Sequence, residues 1–265
     1  MTPVFPAEAI RAMILAAVLC SLLPLVFLGY YRAKTGTKFM PFFIGMGCYF
    51  AFSYLGGSLL NLICLSVFRL GQVLAGHPVY LSVYYAVSSG VCGVLGLYIG
   101  LKYAMKNRPG KQNAFLFGLG AGGLECILYG GIVNITSLVL ALLVNGLGLD
   151  SYLAKMQIPA AEIENQKQLI MGRAAISPAA IYNDALLQFL CMCLQAALAI
   201  LVYQAISRKE DKKLLPAAAV IHITGYLPIF LCQADIFTND TIVIAIMSVY
   251  IFVILLWAYR RYQAA

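Results

Sequence analysis

A single carboxylate lies deep inside a long apolar stretch of this sequence, at Glu125 in FGLGAGGLECILYGG (residues 117–131). If the stretch is a helix, the small residues Gly118 and Gly122 lie on the same face before it, and Tyr129 lies one turn after it. A carboxylate in a hydrocarbon environment costs about 2.5–3.5 kcal/mol, which favours a function for this residue. The chemistry that it offers is that of a general base for water. The alternative is a neutral acid that hydrogen-bonds a neighbouring helix.

A histidine and a tyrosine form a second polar pair in another apolar stretch. His222 and Tyr226 are four residues apart in AAAVIHITGYLPIF, so a helix presents both on one face. The other histidine, His77, lies between apolar stretches. Histidine exchanges protons near neutral pH and is a frequent metal ligand. We therefore predict a catalytic role for His222, with packing inside an apolar helix as the alternative.

Two amides offer hydrogen bonds on a third stretch, because Gln188 and Gln195 are seven residues apart and share a helical face. Counted from the basic residue that bounds each stretch, Glu125, His222 and Gln195 lie roughly 21, 14 and 20 Å along their helices. The three side chains can therefore meet at one level. Gln188, Gln195 and Tyr226 would then support the site as hydrogen-bond donors, although interhelical bonding alone also explains the glutamines.

The elements that must position these residues are membrane-spanning helices. The chain has 265 residues, of which 62% are hydrophobic and 11% charged, and its mean hydropathy is +0.88. Soluble domains are only roughly 45–50% apolar. We predict an all-α polytopic transmembrane helical bundle, since the strands of a barrel would be short and alternating. Stretches long enough for a bilayer core of about 30 Å are 10–31, 39–65, 79–104, 114–149, 179–206, 214–234 and 241–259.

Basic residues predict how the bundle is oriented, because Lys and Arg accumulate in cytoplasmic loops. With seven spans, the N-terminus outside and the C-terminus cytoplasmic, thirteen of the 18 basic residues face the cytoplasm. They are Arg32, Lys34, Lys38, Lys102, Lys106, Arg108, Lys111, Arg208, Lys209, Lys212, Lys213, Arg260 and Arg261. Dividing the long fourth stretch into two spans gives a poorer asymmetry. The net charge of +8 then reflects membrane topology, and we expect no nucleic acid as a partner.

Other features narrow the possible functions. The eight cysteines lie in apolar stretches without CxxC spacing, which indicates buried hydrophobic residues and not a zinc knuckle. The longest polar segment, Asp150–Ser177, is a modest external loop that is expected to hold a short helix, so residues 1–265 are predicted to form a single integral membrane domain. No internal repeat pairs the two halves of the sequence, which disfavours a transporter with Glu125 as its proton carrier.

Four segments of the chain resemble the YhfC family of intramembrane metalloproteases. They are the glycine-flanked glutamate motif GxGxGGxExxxxGG (118–131), NITSLVLALLVN (134–145), LVYQAISRK (201–209) and AAVIHITGYLP (218–228). That family is grouped with the CAAX-processing and Abi-type membrane endopeptidases and with the Aph subunit of gamma-secretase. The resemblance implies an integral membrane hydrolase whose substrate is a membrane peptide or protein.

The resemblance also implies which residues form the site. Glu125 corresponds to the glutamate of the family's first motif and His222 to the histidine of its third, and both would be ligands of a metal. The second motif departs from the family, because its acid–Arg pair and histidine are replaced here by Leu187, Gln188 and Gln195. Where the wider superfamily has HxxxN or HxxxD, His222 is followed by Tyr226. A catalytic zinc needs three protein ligands, whereas a glutamate-type mechanism needs one base and hydrogen-bond donors.

The leading hypothesis is an intramembrane peptidase in which Glu125 activates water, while His222 and a fifth-span amide stabilise the tetrahedral oxygen. It would use a divalent metal such as zinc, or none. The alternative is a catalytically inactive relative that acts as a membrane scaffold or binding protein, and a small transporter is the third class. In each case membrane lipid surrounds the protein.

Overall fold

The computed structural model describes residues 4–208 and 211–264, and all regular secondary structure in this part of the chain is helical. Seven helices within it are long and apolar enough to cross a membrane. The predicted all-α polytopic bundle is confirmed, and the protein is a multi-pass membrane protein. We number the spans one to seven in chain order: Ala7–Thr35, Met40–Val67, Pro78–Ala104, Lys111–Leu147, Pro178–Ser207, Leu214–Gln233 and Asp240–Gln263.

The long apolar stretch predicted as one fourth span is a continuous helix. Lys111–Leu147 runs for 37 residues, so the alternative of two spans at this place is wrong. The orientation, with the N-terminus outside and the C-terminus in the cytoplasm, stays a prediction. One of the basic residues on which it depends, Lys209, lies outside the described residues.

The fourth span changes its helical geometry immediately after Glu125. Lys111–Glu125 is α-helical, Cys126–Ile132 is π-helical and Val133–Leu147 is α-helical again. Because a π-helix bonds each residue to the fifth one along, it rotates the following side chains away from their α-helical positions. Tyr129 is 44% exposed whereas Glu125 is 5% exposed, and the prediction that these two residues share one helical face stays a prediction.

The chain divides into two compact units. The first contains the described residues up to Leu22 together with Cys126–Gln188. It includes the segment between the fourth and fifth spans, in which helices form at Leu149–Lys155 and Ile163–Ala174. The prediction of a short helix in that segment is therefore confirmed. One integral membrane domain over residues 1–265 stays a prediction.

The second unit contains Leu23–Glu125 and the described residues from Phe189 onward. Glycines let its helices approach closely. A Cβ atom on Gly122 would lie 2.6 Å from the Cα atom of Met192, and one on Gly118 would lie 2.9 Å from the Cα atom of Ala196. The glycine backbone of the fourth span therefore packs directly against the fifth span, as expected for a GxxxG motif.

The motif packs on the fifth span, where the atoms nearest to Gly118 and Gly122 belong to Gln195, Ala196, Ala199 and Met192. On the third span, Gly90 and Gly93 contact the sixth span, at Ile223 and His222. The imidazole of His222 fills the space beside Gly93.

Candidate active site

Four buried side chains of the second unit form one hydrogen-bonded group, which we call the Glu125 cluster: Glu125, Gln195, His222 and Tyr226. Tyr226 lies closest to the carboxylate, and its hydroxyl is 2.7 Å from Glu125 Oε1 and 2.8 Å from Oε2. Gln195 Nε2 donates to Glu125 Oε2 over 3.2 Å. Both carboxylate oxygens therefore accept hydrogen bonds from neighbouring spans.

Gln195 connects the carboxylate to the histidine. Its Nε2 atom lies 3.2 Å from His222 Nε2 and 3.3 Å from the Tyr226 hydroxyl. With the amide nitrogen turned toward an ionised Glu125, its second hydrogen points at His222 Nε2, which then accepts. The proton of a neutral imidazole must in that case be on Nδ1. His222 Nδ1 is buried and has no hydrogen-bond partner within the described part of the chain.

Tyr226 and His222 also contact each other as rings. They belong to one face of the sixth span and stack almost in parallel, with ring centroids 4.3 Å apart and an angle of 6° between the planes. Such stacking fixes the orientation of the imidazole, since both side chains are buried. The sixth span therefore presents a rigid pair to the fourth and fifth spans.

The Glu125 cluster is closed to the surroundings. The exposed fractions are 5% for Glu125, 2% for Gln195, 1% for His222 and 6% for Tyr226. Without water to replace a lost partner, each hydrogen bond in the cluster matters more than it would at a surface. Removing one member would leave a polar group of another member unpaired.

Two glycines make this convergence possible. A Cβ atom on Gly93 would lie 2.7 Å from His222 Nε2, and one on Gly122 would lie 2.9 Å from the Cβ atom of Gln195. Real Cβ atoms essentially never come so close to another heavy atom. The third and fourth spans therefore need glycine at these positions for His222 and Gln195 to reach Glu125.

A small cavity lies beside the cluster, with about 10 Å³ of room for the centre of a water molecule. Gln195 lines it together with Gly93, and the second span contributes Tyr49 and Ser53. This volume is close to the minimum that holds one water molecule. The cavity therefore offers a place for a single water next to Gln195, the member of the cluster that lines it.

The structure brings together four of the five residues that we predicted as site residues. Gln188 belongs to the first unit, where its amide lies 3.5 Å from Asp184 Oδ1 and its Cγ atom faces Gly130. The functional roles of all five residues stay predictions. The cavity residues Tyr49 and Ser53 were not predicted, because the second span contains no Asp, Glu, His, Lys or Arg that would mark it as part of a site.

The donor atoms of the Glu125 cluster do not fit a catalytic zinc ion. Such an ion takes three protein ligands, usually His with Asp or Glu, and leaves a position for water. Glu125 and His222 supply two, and no group of three or more His, Cys, Asp or Glu residues that could hold a metal exists within the described residues. Both Glu125 oxygens are also engaged by Tyr226. We therefore derive no chemical step through a metal.

Comparison with known proteins identifies related sequences. The model of a family described as YhfC intramembrane metalloprotease matches residues 19–248 of this chain. A Bacillus subtilis (strain 168) protein named "Uncharacterized membrane protein YhfC" is 25% identical over 250 residues, which cover 92% of this chain and 95% of that protein. No solved structure matches the chain.

Proposed function

Because the chain belongs to the YhfC intramembrane metalloprotease family, we propose that it is an intramembrane peptidase in which Glu125 activates a water molecule. The observation that carries the proposal is the convergence of one buried carboxylate with three polar side chains from two other spans. A carboxylate inside a membrane protein is costly and generally marks a functional site. The substrate is a peptide segment within the membrane, since the cluster lies on the helices that span it.

The first chemical step uses a water molecule that passes from the small cavity beside Gln195 to Glu125. The Glu125 carboxylate takes a proton from this water as its oxygen attacks the carbonyl carbon of the peptide bond. The carbonyl π electrons move to the oxygen, which becomes an oxyanion in a tetrahedral intermediate. In the second step the intermediate collapses, the C–N bond breaks, and the proton held by Glu125 moves to the leaving nitrogen. The products are a carboxylic acid and an amine, and Glu125 is again ionised.

Hydrogen-bond donors have to stabilise the oxyanion during this reaction. The Tyr226 hydroxyl and the Gln195 amide lie within 3.3 Å of each other and both reach Glu125, so they are the direct donors in the proposal. His222 holds the Gln195 amide through its Nε2 atom and is a positioning residue. This differs from the role that the sequence suggested, in which His222 itself donates to the oxyanion.

One observation favours a second function, that of a catalytically inactive scaffold that binds a membrane partner. The Tyr226 hydroxyl contacts both oxygens of Glu125. The Gln195 amide donates a further hydrogen bond to Oε2. A carboxylate that is fully hydrogen-bonded can hold three helices together without any reaction. In that case the cluster is packing, and its loss would affect folding alone.

The substitution Glu125→Gln separates the two functions, because glutamine keeps the shape and most hydrogen bonds of glutamate but is no base. We expect the variant to fold normally and to lose roughly 10²- to 10⁴-fold in cleavage rate. The assay is a screen of synthetic single-span peptides, reconstituted with the purified protein in lipid vesicles, with thermal unfolding measured in parallel.

Two further variants complete this experiment. Glu125→Leu should reduce the yield of folded protein, since it leaves the Tyr226 hydroxyl and the Gln195 amide unpaired. Glu164→Gln is the matched control, because Glu164 is an exposed residue of the helix Ile163–Ala174, and it should change neither property. Full cleavage activity in Glu125→Gln would overturn Glu125 as the base, whereas no cleavage of any peptide by the unaltered protein would leave the scaffold.

A further inference from the structure

A second cavity, of about 170 Å³, opens in the second unit where three spans begin or end. Its apolar lining includes Leu101, Met105 and Ala114, which are 7%, 3% and 1% exposed. Its other lining residues include three exposed basic side chains, Lys102, Lys106 and Arg108. The cavity therefore combines a buried apolar wall with a positively charged mouth.

Among the described residues that line this cavity none is acidic, so none of them neutralises its positive charge. The ion pairs found in the described part of the chain are Lys167 with Asp150 and Arg261 with Asp211, so they involve other basic residues. Lys102 lies against the rings of Tyr98 and Tyr103 instead, at 4.9 and 5.3 Å from their centroids. Three cations around one cavity favour an anionic ligand.

The depth of the cavity indicates the kind of anion. Lys102 lies two residues before the end of the third span, Gly110 directly precedes the fourth span, and Ser207 ends the fifth. Helices leave the hydrocarbon core at such positions, where tyrosine rings are also frequent. These positions favour a mouth of the cavity at the level of the lipid phosphates.

We propose that this cavity binds the phosphate headgroup of an anionic phospholipid. Lys102, Lys106 and Arg108 contact the phosphate, and the apolar wall accepts the first carbon atoms beyond it. Free inorganic phosphate has the same charged group but gains nothing from the apolar wall. Basic pockets between the ends of transmembrane helices bind lipid headgroups on these grounds. The proposal is independent of the peptidase reaction.

The test measures lipid binding to the purified full-length protein by native mass spectrometry, with phosphatidylglycerol, phosphatidylcholine and inorganic phosphate as separate probes. We expect phosphatidylglycerol to bind in preference to the other two. In the triple variant Lys102→Gln, Lys106→Gln, Arg108→Gln its affinity should fall by on the order of 10- to 100-fold. Ser207→Phe, which narrows the cavity without changing the charge, should weaken binding as well.

The matched control removes three exposed charges at or between the ends of other spans, in Lys34→Gln, Lys38→Gln, Lys212→Gln. It should lower the affinity by less than about fivefold. Equal losses in both triple variants would overturn the proposal, because the attraction would then come from overall charge. Binding of inorganic phosphate as tight as that of phosphatidylglycerol would overturn the lipid assignment. If the triple variant does not fold, the pair Lys106→Gln, Arg108→Gln is tested against Lys34→Gln, Lys38→Gln with the same expectations.

Discussion

Gly93→Ala is the sharpest test of the geometry of the Glu125 cluster, because it adds one methyl group and changes no hydrogen-bonding atom. The new Cβ atom would lie 2.7 Å from His222 Nε2, whereas ordinary contact begins at 3.4 Å. The imidazole must therefore move by about 0.7 Å or the third and sixth spans must separate. His222 is stacked on Tyr226 and buried, so its ring has little freedom to give way.

Two opposing effects determine the stability of this variant. Overpacking in a filled interior lowers the free energy of unfolding by about 1–3 kcal/mol. Replacing glycine by alanine inside a helix raises it by about 1 kcal/mol. The net destabilisation is therefore modest, from about 0 to 2 kcal/mol. The effect on catalysis is expected to be larger, since a displacement near 1 Å at an active site can cost about 10²-fold in rate. The methyl group also fills part of the small cavity that Gly93 lines.

The measurement compares cleavage rate and thermal unfolding of Gly93→Ala with those of Gly47→Ala. Gly47 lies in the second span, and a Cβ atom there would have nothing within 4 Å. We expect Gly47→Ala to keep full activity and Gly93→Ala to lose about 10²-fold while it remains folded. If both variants cleave at the wild-type rate, the position of His222 does not matter for turnover and the proposed mechanism is refuted.

Three other predictions concern the site and the topology. Gln195→Leu should abolish cleavage and lower the unfolding temperature, because it removes the amide between Glu125 and His222. The control Gln188→Leu, in the first unit, should retain cleavage. Equal losses of cleavage in both variants would argue against a special role for Gln195. A zinc chelator should leave the cleavage rate unchanged, since the described residues offer too few ligands; inhibition that added zinc reverses would contradict this. Reporter fusions after Arg261 should be cytoplasmic and those within Asp150–Ser177 external, and a cytoplasmic signal from the latter would refute the orientation.

The spans and the main polar residues could be predicted because membrane proteins place strong constraints on sequence. A helix needs about 20 apolar residues to cross the bilayer, so seven such stretches correspond directly to the seven helices observed. Polar residues are rare in these stretches, and the small number of candidates made the meeting of Glu125 with Gln195 and His222 predictable from depth alone. Depth along a helix follows from counting residues, provided that the helix is continuous.

Helix faces and helix partners were less predictable. The π-helical turn at Cys126–Ile132 could not be predicted, because apolar residues alone do not reveal where α-helical bonding changes. Gly118 and Gly122 indicated that another backbone comes close, but a GxxxG motif does not specify which one. The sequence therefore did not show that the motif packs on the fifth span.

The peptidase and the scaffold place different demands on Tyr226. Its single hydroxyl proton is directed at the Glu125 carboxylate, which it contacts at 2.7 and 2.8 Å. As long as that bond persists, the same proton is not available to an oxyanion. A peptidase must therefore have a second arrangement in which water and the peptide carbonyl take the places that Tyr226 and Gln195 now share with Glu125. The adjoining cavity has room for about one water molecule, so entry of a peptide also requires the spans around the cluster to separate. A scaffold needs neither change, and for it the closed cluster is the working state.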